Sequence, residues 1–199
     1  MTSICTRLST TAALAIVLSL AGPSQAHAER AAALSSITID NFGQVNDGYY
    51  RGAQPKGDDY KALAGIGIRT VIDLSDEQAN EAASVQAAGM RFVRIALTTR
   101  AAPAEAAVTQ FLALVADPAN QPVYVHCQGG RHRTGIMTAV YRMSHDHWTP
   151  DQAFAEMVQY EFKKGLVSHD ALKRFVFAFT PGAFATALAP AASEPERRR

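Results

Sequence analysis

The sequence is poor in cysteine, nearly balanced in charge and without a long apolar segment. Its 199 residues include two cysteines, too few for the disulfide framework of a small secreted scaffold. Nineteen basic and 18 acidic residues give a formal net charge of +1, which argues against nucleic acid as a partner. Because 48% of the residues are hydrophobic and 19% are charged, a globally disordered chain is also excluded. The function must therefore be inferred from local motifs.

Residues 1–28 are typical of a secretory signal peptide. Arg7 supplies the positive charge, residues 12–21 are apolar, and Ala26-His27-Ala28 has the form of an A-x-A cleavage site. The apolar segment has about half of the ~20 residues that span a bilayer, so we expect cleavage rather than stable membrane insertion. An uncleaved amphipathic or anchoring helix is the alternative. Cleavage would leave Cys127 as the single cysteine of an exported, periplasmic or secreted protein.

The remaining chain alternates strand-like with helix-like segments, which favours an α/β fold. Strands are predicted at 49–51, 70–74, 92–95 and 123–127, and helices at 58–64, 76–88, 103–116, 134–143, 169–179 and after a capping box at Thr149–Gln152. This alternation predicts a central, largely parallel sheet flanked by helices on both faces. We expect this domain to span residues 29–180 and the Ala- and Pro-rich residues 181–199 to form a disordered tail.

Residues 126–135 read His-Cys-Gln-Gly-Gly-Arg-His-Arg-Thr-Gly and join a predicted strand to a predicted helix. A helix N-terminus offers free amides and partial positive charge, and Gly129 and Gly130 allow the backbone to close around an anion. The same field lowers the pKa of a thiol at Cys127. Arg133 can bind two phosphoryl oxygens at once, and the Thr134 hydroxyl can donate to the sulfur. These residue types together favour phosphoryl transfer to sulfur.

The segment resembles the H-C-x-x-G-x-x-R-S/T-G signature of cysteine-dependent protein tyrosine and dual-specificity phosphatases. Residues 130–135 are similar to the G-K-H-R-T-G of the plant and fungal atypical dual-specificity phosphatases and their bacterial exported relatives, with Arg131 in place of lysine. Asn41-Phe42, Tyr50-Arg51, residues 117–122 and Trp148 also resemble that group. The resemblance covers roughly residues 41–177 and implies a dual-specificity-phosphatase-like fold.

The resemblance also implies a role for each residue of the segment. Cys127 would be the nucleophile, Arg133 would bind the phosphoryl oxygens, and Thr134 would assist breakdown of the phosphocysteine. His126 would orient the loop and lower the pKa of the thiol. Backbone amides for the phosphate would come from Gln128, Gly129, Gly130, Arg131 and His132. We expect no metal and no other cofactor.

The general acid is the part of the family pattern that the sequence lacks. Most dual-specificity phosphatases carry an aspartate on a loop about thirty residues before the cysteine, whereas residues 96–105 contain one carboxylate, Glu105. Glu105 at a helix start is typical of a partner for the helix dipole; it and His132 are the candidate acids. Asp73 and Asp76 are interpreted as caps of the following helix. Without a strong acid, we expect phosphotyrosine or pyrophosphate bonds to be cleaved in preference to phosphoserine.

Three functions are compatible with these residues. The first is an exported protein tyrosine or dual-specificity phosphatase that hydrolyses phosphomonoesters. The cationic loop residues Arg131 and His132 favour an inositol polyphosphate, inositol pyrophosphate or phosphoinositide as an alternative substrate. The third, of a different class, is a non-catalytic phosphate-binding module. Each predicts a phosphorylated protein or a small polyanionic ester as the partner. For Arg51, two positions stay open: the rim of the pocket, and a surface or structural position away from it.

Overall fold

The computed structural model describes residues 23–76, 81–164 and 169–188. The strands are β1 (Gly43–Asn46), β2 (Tyr49–Ala53), β3 (Thr70–Ser75), β4 (Arg91–Leu97) and β5 (Val123–Cys127). The helices are α1 (Pro23–Ser35), α2 (Asp59–Gly65), α3 (Glu81–Ala87), α4 (Glu105–Ala116), α5 (His132–His145), α6 (Pro150–Gln159) and α7 (Asp170–Ala178), and a 3₁₀-helix follows at Pro181–Leu188.

The five strands form one sheet in the order β1-β2-β5-β3-β4. The β1–β2 pair is antiparallel, and the pairs β2–β5, β5–β3 and β3–β4 are parallel. The predicted α/β fold with a largely parallel sheet is therefore confirmed. Ala53 of β2 lies opposite Cys127 of β5, and Asp73 of β3 lies opposite His126. The carboxyl ends of three parallel strands consequently meet around the cysteine, as ligand sites of open α/β sheets require.

Side chains of β5 alternate between two cores because successive residues of a strand point to opposite faces. Val123, Val125 and Cys127 belong to a core that includes residues of α4, α5, α6 and α7. Tyr124 belongs to the second core, which includes residues of α2 and α3. Helices thus cover both faces of the sheet, and neighbouring residues His126 and Cys127 occupy different sides of it.

Helix α6 begins at the predicted capping box. The Thr149 hydroxyl accepts from the Gln152 amide, and the Gln152 side chain accepts from the Thr149 amide at 2.9 Å. Pro150 occupies the first helical position, where a missing amide hydrogen costs nothing. This cap fixes the start of α6. Tyr160, directly after the end of α6, lies beneath the Arg51 guanidinium.

Two segments differ from the sequence predictions. For the helix predicted at 76–88, the structure describes Glu81–Ala87 as helical, and residues 77–80, where the predicted start falls, lie outside the described residues. The helix predicted from Pro103 begins at Glu105. Strand β1 was missed, since Val45 is its one β-branched apolar residue and such short edges carry little periodic signal.

The tail prediction is wrong for residues 181–188. They form a 3₁₀-helix, and the Phe184 ring stacks on Phe179 with centroids 5.3 Å apart. Burial of that aromatic ring outweighs the Ala- and Pro-rich composition. Residues 189–199 of the predicted tail and residues 1–22 of the predicted signal peptide lie outside the described residues. In the described part of the chain, no helix combines the length and apolarity that crossing a membrane demands.

Candidate active site

The cysteine loop connects the last residue of β5 to the first residue of α5. Cys127 ends the strand, residues 128–131 form the loop, and His132 begins the helix. Gly130 has a φ of +65°, and a Cβ there would lie 2.5 Å from the carbonyl carbon of Gly52. Only glycine fits both the left-handed conformation and this approach to β2. The predicted anion site at a strand-to-helix junction is therefore present in the fold.

The Cys127 thiol is buried at 3% exposure beneath this loop. Burial raises its pKa, but the Thr134 hydroxyl and amide, the Arg133 charge and the Gly130 amide lower it further, so the pKa of the thiol lies below its ordinary value. Hydrogen bonds and a cation both favour the charged form of an acid. The loop thus stabilises the thiolate, the nucleophilic form of cysteine.

Arg133 lies in the first turn of α5 with 6% of its surface exposed. Its Nη1 donates to a carboxylate oxygen of Asp76 and lies 3.3 Å from the Leu97 carbonyl oxygen. Its charge is among the groups that lower the pKa of Cys127. The structure therefore brings Cys127, Arg133 and Thr134 together as predicted, and it adds Asp76, which the sequence analysis had interpreted as a helix cap.

Carbonyl oxygens of three consecutive loop residues are each held by a donor from outside the loop. The Gln54 amide donates to Gln128 O at 3.3 Å. The Asn41 side chain donates to Gly129 O at 2.9 Å, and Arg51 Nη2 donates to Gly130 O at 2.8 Å. Turning carbonyls outward leaves the loop amides free to face an anion.

Arg51 is the clearest functional residue that sequence reasoning left unassigned. It is fully buried, with its guanidinium 3.7 Å above the Tyr160 ring. Burial lowers its pKa, while the Tyr49, Glu156 and Tyr160 side chains and Cys127 oppose that shift. Arg51 therefore has the structural place beneath the loop rather than one on the pocket rim. Its presence in the Tyr50-Arg51 pair of the family resemblance was the available signal.

His126 points to the opposite side of the sheet from Cys127, so it does not join the groups facing the anion. Its Nε2 lies 3.1 Å from Glu81 Oε1, and its Nδ1 lies 3.9 Å from Asp73 Oδ1. The Tyr60 hydroxyl lies 3.1 Å from the same Glu81 oxygen, and Arg94 donates to Asp73 at 2.9 Å. Its place remains compatible with the predicted role of orienting the loop from below.

Asp73, Glu81 and His126 are also the one group of three potential metal ligands within 4.8 Å of one another among the described residues. Arg94 and Tyr60 already occupy their carboxylates. We therefore interpret the group as a buried ionic and hydrogen-bonding network. Asp146, in the His145-Asp146-His147 turn, is paired with Arg142 at 2.7 Å.

The cavity above Cys127 has a volume of about 100 Å³, equivalent to roughly three water molecules. It is small enough to hold little more than one phosphoryl group. Its lining consists of Thr99, Cys127, Gln128, Gly129, Arg131, His132 and Arg133.

The rim of this cavity combines cations with one carboxylate. Arg131 Nη1 lies 3.8 Å from Glu161 Oε2, and Lys164 donates to Glu161 Oε1 at 2.7 Å. The hydrogen bond from Lys164 lowers the pKa of Glu161. The positive charge of Arg131 is thus partly balanced before any ligand binds.

The two candidate acids from the sequence differ in position. His132 lines the cavity, but its Nε2 lies 2.9 Å from the Phe162 carbonyl oxygen and its ring lies against His169. Burial, followed by the charge of His169, lowers its pKa to about 4, so the imidazole is neutral near pH 7. Glu105 is exposed at the start of α4 and lines a different surface depression with Ala106, Thr109 and Gln110. Neither arrangement favours a proton donor at Cys127.

A family described as "DSP-PTPase phosphatase fused to NAD+ Kinase" matches residues 35–174 of the chain. The chain is 29% identical to "Inositol diphosphatase DSP1" of Oryza sativa subsp. japonica over 134 residues, 64% of this chain and 60% of the relative. It is 32% identical to "Putative tyrosine-protein phosphatase OCA1" of Mycosarcoma maydis over 108 residues, 51% of this chain and 68% of the relative. The matches therefore span about half to two thirds of the relatives' own length.

A similar fold occurs in the core catalytic domain of the PP-IP phosphatase SIW14 from S. cerevisiae, solved in complex with citrate. The TM-score is 0.66 at 22% identity, and the match covers 74% of this chain and 90% of that one. At this identity, the likeness concerns the fold.

Proposed function

We propose that the chain, which belongs to the family described as "DSP-PTPase phosphatase fused to NAD+ Kinase", hydrolyses phosphate monoesters through a phosphocysteine intermediate. The resemblance to atypical dual-specificity phosphatases that the sequence suggested is confirmed by this match and by the relatives. The observation that carries the proposal is a buried thiol of lowered pKa beneath a loop whose carbonyl oxygens accept hydrogen bonds from outside the loop.

In the first step, the Cys127 thiolate attacks phosphorus, a sulfur–phosphorus bond forms as the phosphorus–oxygen ester bond breaks, and the leaving oxygen takes a proton from a general acid or from water. The loop amides and Arg133 hold the phosphoryl oxygens in line with the sulfur. In the second step, water attacks the phosphocysteine, and inorganic phosphate and the thiolate are released. The Thr134 hydroxyl, which already lowers the pKa of the thiol, stabilises the departing sulfur.

Phosphotyrosine, on a peptide or protein, is the substrate we favour. A cavity of about 100 Å³ admits the phosphoryl group and leaves the rest of the substrate at the rim. Phenolate is also a better leaving group than an alkoxide, so it depends less on an acid. The 32% identical relative named as a putative tyrosine-protein phosphatase supports this choice.

An inositol pyrophosphate is the second candidate substrate. It is supported by the 29% identical relative named an inositol diphosphatase and by Arg131 on the rim. The Glu161 carboxylate, 3.8 Å from Arg131, argues against a strong preference for polyanions, because it would repel additional phosphates. Replacing Arg131 with alanine should lower turnover of both substrates equally if phosphotyrosine is preferred. It should affect the inositol compound selectively if polyanions are preferred.

Release of phosphate from a phosphotyrosine peptide and from an inositol pyrophosphate, measured side by side without added metal, tests the proposal. Cys127→Ser is the matched control, because it removes the nucleophile and changes one atom. Turnover that disappears in this variant supports the phosphatase. Binding of phosphorylated ligands without any turnover by the wild type would favour the binding-module alternative instead.

We also propose that the protein is exported and that residues 29–180 are its phosphatase domain. The composition of residues 1–28 supports export. Expression in a bacterial host, followed by N-terminal sequencing of the periplasmic fraction, should yield a protein that begins at Glu29. A cytoplasmic protein that begins at Met1 would contradict the proposal.

A further inference from the structure

Asp76 contacts the arginine that the proposed function assigns to the phosphoryl group. Nη1 of Arg133 donates to Oδ1 of Asp76. Asp76 follows directly after β3, which pairs with β5 and ends beside it. Its side chain is 52% exposed, whereas that of Arg133 is 7% exposed. A half-exposed carboxylate is therefore paired with the buried arginine that lines the cavity above Cys127.

The reaction requires a proton for the leaving oxygen, and among the described residues the donors suggested by the sequence are poorly placed for it, while Glu161 on the rim accepts from Lys164 at 2.7 Å. The described residues of the β4–α4 loop, 98–104, contain no carboxylate. Glu105 lines another depression, and the His132 imidazole is neutral near pH 7 because its pKa is lowered to about 4. Asp73 and Glu81 lie on the other face of the sheet with His126.

We propose that Asp76 is the general acid that protonates the leaving group, an inference that rests on the proposed phosphatase function. Asp76 is hydrogen-bonded to the arginine that the proposed function places on the phosphoryl oxygens, so its carboxyl lies beside the reacting group. General acids are commonly engaged elsewhere in the free protein and align only with substrate bound. The acid thus comes from the end of β3 rather than from the loop before α4.

Substrate binding supplies the condition under which Asp76 can carry a proton. The incoming phosphoryl group takes the guanidinium donors that Asp76 uses in the free protein. The carboxyl is then released from the guanidinium and lies beside the bound phosphoryl group. Competition for Arg133 therefore couples binding of the phosphate to preparation of the acid.

The proton balance includes one exchange with solvent in each cycle. When the phosphoryl group displaces Asp76 from Arg133, the carboxylate takes a proton from solvent. As sulfur attacks and the phosphorus–oxygen bond breaks, the Asp76 carboxyl gives this proton to the leaving oxygen. As water attacks the phosphocysteine, the carboxylate takes a proton from that water. Phosphate and the Cys127 thiolate are released, and Asp76 returns the proton to solvent as it pairs with Arg133 again.

The alternative is that Asp76 merely competes with substrate for Arg133. The two roles differ in their dependence on the leaving group. Loss of an acid harms esters with poor leaving groups and spares those with good ones, whereas loss of a competitor improves binding of every phosphate ester equally.

The test compares wild type, Asp76→Asn and Asp76→Glu on phenyl phosphate and on 2,4-dinitrophenyl phosphate. For Asp76→Asn we expect kcat/KM on phenyl phosphate, which reports the step that expels the leaving group, to fall by about 10²- to 10⁴-fold, the usual contribution of an acid. On the dinitrophenyl ester we expect a fall of less than about tenfold. Asp76→Glu should restore part of the lost turnover. The matched control is Asp47→Asn, which alters an exposed carboxylate just before the start of β2, at the end of the strand away from Cys127.

Two results would overturn the inference: an equal loss of kcat/KM on both esters, or a lower KM on both with unchanged kcat. Orthovanadate inhibition and a thermal melt show whether the Asp76→Asn site is intact. Should this variant not fold, a series of aryl phosphates with the wild type decides, since a steep dependence of kcat/KM on the leaving group means that no acid acts. A wild type inactive on every ester, under conditions where it is folded, would overturn the proposed function and this inference with it.

Discussion

Nε2 of His126 lies 3.1 Å from Oε1 of Glu81, and both side chains are completely buried. The two residues connect the strand that ends at the nucleophile with the first turn of α3. Tyr60 from α2 approaches the same carboxylate oxygen at 3.1 Å. The residue before Cys127 is thus held by two helices on the side of the sheet that faces away from the cavity.

Replacing Glu81 with alanine should destabilise the protein by about 3 kcal/mol, because removal of one member of a buried polar pair leaves the other uncompensated. Glu81→Gln should cost less, since the amide can still bind Tyr60. The free energy of unfolding from urea titration measures both effects. Asp47→Ala is the control, because its carboxylate is 96% exposed and should change stability by no more than about 0.5 kcal/mol. Equal stability of Glu81→Ala and this control would show that the pair does not hold the fold.

Thr134→Val should raise the pKa of the Cys127 thiol. The threonine hydroxyl is the largest of the groups that lower this pKa against the effect of burial, and valine keeps the shape without the donor. The rate of alkylation by iodoacetamide as a function of pH gives the pKa, in a Cys5→Ser background so that only Cys127 reacts. Thr134→Ser should keep the wild-type midpoint. A Thr134→Val midpoint equal to that of Thr134→Ser would show that the hydroxyl does not stabilise the thiolate.

His132 should make the protein less stable as the pH falls from about 6.5 to about 4. Burial and the charge of His169 lower its folded pKa from 6.5 to about 4, so in this window the unfolded chain binds a proton that the folded chain does not. Arg131 and Arg133 face the ring as well and act in the same direction. Above pH 6.5 the imidazole is neutral in both states, and below pH 4 it is charged in both.

The His132→Asn variant isolates this effect. Its stability should decline less than that of wild type over the same pH range, while the exposed His147→Asn control should follow wild type. The midpoint of urea unfolding at each pH measures the difference. Parallel curves for wild type and His132→Asn would mean that the proton is bound equally in both states.

The cysteine loop could be predicted from the sequence because its residues are contiguous. Cys127, Arg133 and Thr134 lie within one strand-to-helix junction, and glycines, free amides and a helix start leave few arrangements for ten residues. The parallel sheet followed in the same way from the alternation of strands and helices. Periodicity did not give the strand order, nor the β1 edge, since both depend on pairing between distant segments.

The contacts that hold the loop carbonyls could not be predicted, because they too join segments that are distant in sequence. Arg51 reaches Gly130 across 79 residues of sequence and Asn41 reaches Gly129 across 88. No local pattern states that two such residues meet. Asp76 was interpreted as a cap because an aspartate before a predicted helix is typical of one, and its contact with Arg133, 57 residues away in sequence, is not visible in any local pattern.

Arg51→Met should weaken phosphate binding while leaving the nucleophile in place. Methionine fills much of the volume under the loop but cannot donate to Gly130 O, which Arg51 Nη2 contacts at 2.8 Å. A hydrogen bond from a charged group is worth about 1.5–3 kcal/mol, so we expect orthovanadate inhibition to weaken by about 10- to 100-fold. Arg51→Lys should lie between wild type and Arg51→Met, because an ammonium keeps the charge but loses the planar contact with Tyr160.

The matched control is Arg69→Met, which removes an exposed arginine directly before the start of β3, at the end of the sheet opposite Cys127. It should bind orthovanadate like wild type. In Arg51→Met the Gly130 carbonyl loses its donor from outside the loop and can turn towards the cavity. We therefore expect slower turnover at saturating substrate in addition to weaker inhibition by orthovanadate. Unchanged inhibition by orthovanadate in a folded Arg51→Met protein would mean that the Gln54 and Asn41 contacts suffice to keep the loop amides turned towards the anion.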